Sequence, residues 1–287
     1  MTQLLKAKPA REKEIQNLKA QTQELVQRGT TPCLKVILVG NNPASVIYTT
    51  NKKKFVENFG GSCEIIKLPE TISEKNFLEE VEKISQNPEV HGCFIQLPLP
   101  DQLKHIDVGQ LIPPNKDVDG FHSENITAIF KGDCGDTSLA PCTPKGVITL
   151  LHHYDVELSG KDCVVIGRSE IVGKPMSMLL TNYNATVSLT HSKTKDLRKY
   201  TKNADIIIVA IGKAKFLDES YISSDKTQVI VDVGMNHDEN GKLCGDVDFD
   251  NVVEKVASIT PVPGGVGPMT ILTLGQNLIK AAKRNLK

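Results

Sequence analysis

Short aliphatic runs bounded by glycine or proline alternate with polar, amphipathic stretches along almost the whole chain, and no other feature restricts the fold as much. The runs cover residues 34–39, 64–68, 92–97, 163–166, 186–190, 206–210 and 229–233. Runs this short and this continuously apolar read as parallel strands buried on both faces. The stretches between them, 10–28, 44–59, 73–86, 143–154, 173–183 and 268–284, carry helical periodicity. Strands separated by helices predict right-handed βαβ units and doubly wound sheets, hence an α/β fold. The length of 287 residues suggests two domains.

Periodicity is weakest between Pro113 and Pro144, where Gly120, Gly132, Gly135 and Pro141 also fall. A segment of this kind predicts a long functional loop with a domain boundary near its end. Pro144 is suited to the first turn of a connecting helix.

Composition excludes several classes. Lys+Arg and Asp+Glu are both 34, so no basic excess points to nucleic acid or an anionic membrane. The longest aliphatic run, from Ile206 to Ile211, is six residues, against about twenty for a membrane helix. The N-terminus lacks the apolar core of a signal peptide. Seven cysteines without a C-x-x-C pair indicate neither a disulfide framework nor a zinc site, and a reducing cytosol is the simplest compartment. Adjacent His152 and His153 do not share a helix face, so no metal pair is expected there.

The segment Cys163-Val-Val-Ile-Gly-Arg-Ser-Glu-Ile-Val-Gly-Lys-Pro175 is a strand, a glycine turn and a helix start. Gly167 suits the tight turn, Gly173 a close helix–strand approach, and the helix N-terminus offers free N–H groups to a pyrophosphate. Ser169 takes the place of the middle glycine of G-x-G-x-x-G, so an ordinary strand–helix turn remains the alternative. The strand at 186–190 ends in His191-Ser192-Lys193-Thr194, without the acid that binds an unphosphorylated ribose. Arg168 and Ser192 suit a 2′-phosphate instead, which favours NADP over NAD unless this is only a polar surface loop.

Asn41-Asn42-Pro43 marks a turn before the helix at 44–59, and Gly60-Gly61 ends it. At about 100° per residue, Tyr48, Lys52, Phe55 and Phe59 fall within a stripe of about 60°. Lys52 therefore faces the same way as two core phenylalanines. Such a lysine either snorkels to water or sits in a cleft, where desolvation lowers its pKa toward a range useful for proton transfer. Gln96 lies at the carboxyl end of a buried strand, the end where open α/β sheets bind ligands. Asp117 and Asp119 share a turn, either as Asx-turn formers or, for Asp119, as the acceptor for a heterocycle with adjacent N–H donors. From Thr260 to Thr270, three prolines and three glycines form a rigid loop that a ligand can approach closely.

Together these segments resemble the bifunctional methylenetetrahydrofolate dehydrogenase/methenyltetrahydrofolate cyclohydrolase family. The resemblance rests on Gly40-Asn-Asn-Pro-Ala-Ser45 with Tyr48-x-x-x-Lys52, Gln96-Leu-Pro-Leu-Pro100, Asp117-Val-Asp-Gly-Phe121 and Pro141-Cys-Thr-Pro-Lys-Gly146. It continues through Gly167-Arg-Ser-x-x-Val-Gly-x-Pro175, His191-Ser192, Asp232-Val-Gly-Met235, Gly245-Asp-Val247 and the 260–270 loop. It implies an N-terminal α/β catalytic domain, residues 1–145 completed by a C-terminal helix at 268–287, and a Rossmann-type NADP-binding domain with a parallel sheet at 146–267.

The implied chemistry is oxidation of 5,10-methylenetetrahydrofolate by NADP+, then hydrolysis of the methenyl cation to 10-formyltetrahydrofolate, in one-carbon metabolism and purine biosynthesis. Lys52 would be the essential polar residue, Gln96 its orienting partner, Tyr48 a stacking platform and Asp119 the holder of the pterin N–H groups. A lysine of lowered pKa suits a cationic methenyl substrate, which repels a fixed ammonium. Leu97, Pro263, Gly264 and Gly265 would line the tetrahydrofolate. Gly167, Arg168, Ser169, Gly173, Ser192 and Met235 would meet NADP. No metal is implied, Cys142 has no expected direct role, and the second domain would form a homodimer interface. Leu5-Lys6-Ala7-Lys8-Pro9 departs from the family's usual Asp-Gly-Lys, and Met235 replaces a more usual isoleucine. A shikimate dehydrogenase-like NADP enzyme would explain Gly167 to Pro175 but not Tyr48-x-x-x-Lys52 with Gln96; a non-catalytic NADP sensor would not need Lys52.

Overall fold

The computed structural model describes residues 1–284; the last three residues of the predicted 268–287 stretch lie outside them. In chain order the elements are β1 (Gln3–Leu4), α1 (Ala7–Gln27), β2 (Cys33–Val39), α2 (Pro43–Asn58), β3 (Ser62–Leu68), α3 (Glu74–Gln86), β4 (Gly92–Ile95) and α4 (Ser123–Phe130). Then follow α5 (Cys142–His153), β5 (Asp162–Ile166), α6 (Gly173–Asn182), β6 (Thr186–Thr190), α7 (Leu197–Thr201), β7 (Ile206–Val209) and β8 (Val229–Asp232). The chain ends with β9 (Asn236–His237), β10 (Leu243–Cys244), α8 (Phe249–Val252), β11 (Ser258–Ile259) and α9 (Val266–Arg284).

Two compact units result. Among the described residues, one holds 13–128, 136–142 and 271–284; the other holds 1–12, 129–135 and 143–270. In the first, β2 is central in a parallel sheet of order β3-β2-β4. Its core joins Ile37, Val39 and Ile95 of the sheet to Phe77 and Val81 of α3. Those two lie four apart on one face of α3, the spacing that buries a single helical stripe. The C-terminal helix is tied in by buried Asn277, whose amide donates to the carbonyls of Val118 (2.8 Å) and Ala140 (2.9 Å).

The second unit is a parallel six-stranded sheet of order β1-β11-β8-β7-β5-β6. Strand order reverses at β5, whose neighbours β6 and β7 run outward in opposite senses, the doubly wound arrangement. Its central strands are fully apolar: Ile206, Ile207, Ile208 and Val209 are all buried.

The domain boundaries differ from the 1–145 and 146–267 reading at the start of the chain. Gln3 and Leu4 pair with Ser258 and Ile259, so the first residues belong to the nucleotide-binding unit. A two-residue strand carries no periodicity, and its partner is some 250 positions away, so no local pattern announces it. The predicted loop at 113–144 also holds a helix, α4. Its Asn125 side chain donates to Pro114 O and Asp117 Oδ2 and accepts from Leu139 N. Those three bonds order the segment without an apolar repeat.

Candidate active site

Helix α2 starts where its sequence dictates. The Asn42 side chain accepts from Ser45 N at 3.2 Å and Pro43 takes the first helical position. Gly60, at φ +96°, ends the helix. The buried stripe of α2 includes Ser45, Thr49, Lys52, Phe55 and Val56. Lys52 is 4% exposed; it does not snorkel. Its Nζ lies 3.7 Å from the Phe94 ring centroid, 4.8 Å from that of Tyr48, and 3.8 Å from Asp119 Oδ1. An ammonium held over two aromatic faces and beside one carboxylate is desolvated but compensated. Burial, then the charge of Asp119, push the Tyr48 hydroxyl well above its usual pKa, so it stays neutral.

Asp117 and Asp119 divide the two expected roles. Asp117 is the turn former: Oδ1 accepts from Gly120 N (3.1 Å), and Oδ2 accepts from His122 N (2.7 Å) and Asn125 Nδ2 (3.0 Å). Burial nonetheless raises its carboxyl to about 6. Asp119 is left to face Lys52. Gln96 follows β4 and its N–H donates to Ile37 O, but no hydrogen bond joins it to Lys52. Its amide nitrogen donates to Leu97 O at 2.7 Å, and its carbonyl oxygen is buried without a hydrogen-bond partner. Leu97 is 42% exposed. Cys142 is buried, and its thiol donates to Val118 O.

Phe94 was not among the residues singled out from sequence. The signal was present: it lies two positions before Gln96, so the alternation of β4 puts both on one face. What made it look like ordinary core was its place in an unbroken apolar run.

In the other unit, Gly167 ends β5 at φ +121°, and its N–H donates to Thr190 O. A Cβ on Gly173 would overlap the Gly167 carbonyl, so α6 meets the turn at a distance only glycine allows. Ser169 has a use that the glycine motif lacks. Its hydroxyl accepts from Val172 N (3.2 Å) and Gly173 N (3.3 Å), so two of the N–H groups expected to be free for a pyrophosphate are already capped. Arg168, Ser192 and Met235 are all exposed, beyond the carboxyl ends of β5, β6 and β8 respectively. No carboxylate occurs between His191 and Lys195. A glycine turn, an exposed guanidinium and an exposed hydroxyl fit a 2′-phosphorylated dinucleotide. Pro263, Gly264 and Gly265 lie in this unit too, where Gly264 O accepts from Ala7 N at 2.8 Å. The unusual Leu5–Pro9 segment is thus fastened by its backbone, with Lys6 O accepting from the Tyr154 hydroxyl at 2.8 Å.

Family models also divide the chain in two, at other boundaries. Residues 5–119 match the tetrahydrofolate dehydrogenase/cyclohydrolase catalytic domain, and residues 141–286 match the NAD(P)-binding domain of the same enzymes. The chain belongs to the tetrahydrofolate dehydrogenase/cyclohydrolase family. A bifunctional FolD protein of Streptococcus thermophilus is 49% identical over 94% of this chain and 95% of its own. The crystal structure of a bifunctional FolD methylenetetrahydrofolate dehydrogenase/cyclohydrolase from Campylobacter jejuni superposes with a TM-score of 0.93 at 44% identity, covering 99% of both chains. The FolD enzyme of Trypanosoma brucei, solved with NADP cofactor and an inhibitor, gives a TM-score of 0.91 at 30% identity, covering 100% of this chain and 99% of that one.

Proposed function

We propose that this tetrahydrofolate dehydrogenase/cyclohydrolase works through Lys52, held by Tyr48, Phe94 and Asp119, with NADP bound by Gly167, Arg168, Ser169, Gly173, Ser192 and Met235. The enzyme oxidises 5,10-methylenetetrahydrofolate to the 5,10-methenyl cation and hydrolyses that cation to 10-formyltetrahydrofolate. The observation that carries the residue assignment is the burial of Lys52 between two aromatic rings and a carboxylate. A structural role at this buried position would be filled more stably by an apolar side chain.

Bound NADP+ supplies the acceptor for the hydride. The chain's own residues do the rest. Tyr48, kept neutral, presents a flat face for an aromatic ring of the folate. The Asp119 carboxylate has two oxygens: one faces Lys52, and the other can accept from the pterin N–H groups. Lys52 Nζ holds the water that attacks the methenyl carbon, and the proton that water loses as the C–O bond forms passes to solvent. The carbonyl oxygen of Gln96, unpartnered in this structure, is the acceptor that Lys52 Nζ meets once substrate is bound, and exposed Leu97 lies against that substrate. Arg168 and Ser192 hold the 2′-phosphate.

The working form is a homodimer in a reducing cytosol. In support, β6 is an open sheet edge with Leu189 exposed, the kind of edge that invites a partner.

Adding methylenetetrahydrofolate and NADP+ should produce absorbance from both NADPH and the methenyl compound, and the latter should then decay. Folded protein that leaves both signals flat would refute the proposal. Light scattering should return twice the mass of the chain.

A further inference from the structure

Two buried carboxylates outside the catalytic set organise the backbone beyond β7 and β8. Asp246 is fully buried. Its Oδ2 accepts from Ile211 N (2.7 Å) and Gly212 N (3.1 Å); its Oδ1 accepts from Lys213 N (2.7 Å) and from Asn236 Nδ2 (2.9 Å). Four donors from two loops thus converge on one side chain. Asp232, at the end of β8, holds Asp246 in turn: its Oδ1 accepts from Asp246 N and Gly234 N, and its Oδ2 from Val247 N, each at 2.9 Å. Thr260, after β11, completes the chain by accepting from Asp232 N at 2.8 Å.

The loops held this way are 210–213 and 233–236, at the carboxyl ends of adjacent strands β7 and β8. In a doubly wound sheet a dinucleotide lies along that edge. With the β5 turn and the end of β6 suited to the phosphates and the adenosine ribose, the β7 and β8 loops would face the nicotinamide half. Met235, exposed, is flanked by Gly234 and Asn236, each hydrogen-bonded to one of the two carboxylates. Three successive N–H groups aimed at one carboxylate have no strand or helix to fix them otherwise, since residues 211–213 follow the end of β7.

We propose that Asp246 is a positioning residue for the dehydrogenase step: without touching NADP, it sets the two loops between which the nicotinamide is held. This rests on the reading that NADP lies along this sheet edge. An asparagine at 246 would turn an N–H donor toward one of the backbone donors, a buried mismatch that opens the loops.

The test is Asp246→Asn, assayed for NADP KM, for dehydrogenase kcat, and for methenyl hydrolysis without NADP. Expected is a rise in NADP KM of about tenfold or more, with hydrolysis unchanged, because Lys52 and its neighbours belong to the other unit. A merely structural role would reduce both activities together in proportion to lost folded protein, and that result overturns the proposal. So does an unaltered NADP KM. Should Asp246→Asn not fold, Asn236→Ala removes only one of the four bonds and should raise NADP KM by about two- to fivefold; no change there also overturns it. Arg168→Ala is the control. If it weakens NADP and Asp246→Asn does not, this inference alone fails; if neither does, the cofactor reading fails as well.

Discussion

Lys52 Nζ stands 3.8 Å from Asp119 Oδ1, and the two side chains are unequally buried, 5% and 18% exposed. That inequality sets what each partner loses when the other is removed. Lys52 is enclosed by rings and has one compensating charge; Asp119 has residual access to water. Asp119→Ala therefore strands a buried cation and should lower stability by on the order of 2 kcal/mol. Lys52→Met places an apolar side chain against Phe94 and Tyr48 and should cost clearly less. Urea midpoints of the two variants decide it: equal losses, or a larger loss for Lys52→Met, contradict the asymmetry.

The same lysine carries the hydrolytic step. Lys52→Met should lose methenyl hydrolysis by roughly a hundredfold or more, while NADP binding, followed by fluorescence, stays at the native value. Retained hydrolysis in a folded variant removes Lys52 from the mechanism.

Cofactor choice depends on a different unit. Arg168 offers a planar fork of donors to a phosphate and nothing comparable to a free hydroxyl. Arg168→Ala should reduce kcat/KM with NADP at least tenfold relative to NAD, a loss matching that of a charged hydrogen bond. An unchanged NADP-to-NAD ratio would show that the 2′-phosphate is bound elsewhere.

Gly173 tests the turn itself. Its Cβ would collide with the Gly167 carbonyl, and backbone cannot yield as a flexible side chain can. Gly173→Ala should raise NADP KM and lower the unfolding midpoint, with Lys52-dependent hydrolysis retained in the folded fraction. A normal NADP KM would mean that the helix start tolerates displacement.

Asp117 gives stability a pH dependence of definite sign. Burial raises its folded-state pKa to about 6, against an ordinary 3.8. The folded state therefore holds this proton more tightly than the unfolded chain does. The group's contribution is fully present below about 3.8 and lost as pH rises through about 6. The wild type's stability margin over Asp117→Asn should accordingly be larger at pH 4.5 than at pH 7.5. Equal margins in chemical denaturation at the two values would refute this.

Much of the candidate site was legible because its signals are local. The periodicity of α2 put Lys52 with Phe55 and Phe59, but left open whether it snorkels or is buried; packing against Phe94 and Tyr48 buries it. Asn42 and Pro43 announced the helix start, and the absence of an acid after β6 pointed to NADP. Other features were silent for a physical reason. Ser169 reads as a defective glycine motif until its hydroxyl is seen capping α6. Asp117 and Asp119 are the same residue type two positions apart, and only their partners separate the turn former from the residue facing Lys52.

The pattern of apolar runs and helical stretches, by itself, determined an α/β chain, because strand and helix periods are properties of neighbouring residues; the dinucleotide reading came from the local Gly167–Pro175 turn and the acid-free loop after β6. Tertiary structure alone decided which distant segments meet: β1 joining β11, Phe94 closing over Lys52, and Asp246 gathering loops from two strands. Those contacts arise from hydrogen bonds and burial between residues up to some 250 positions apart, and no local periodicity records them.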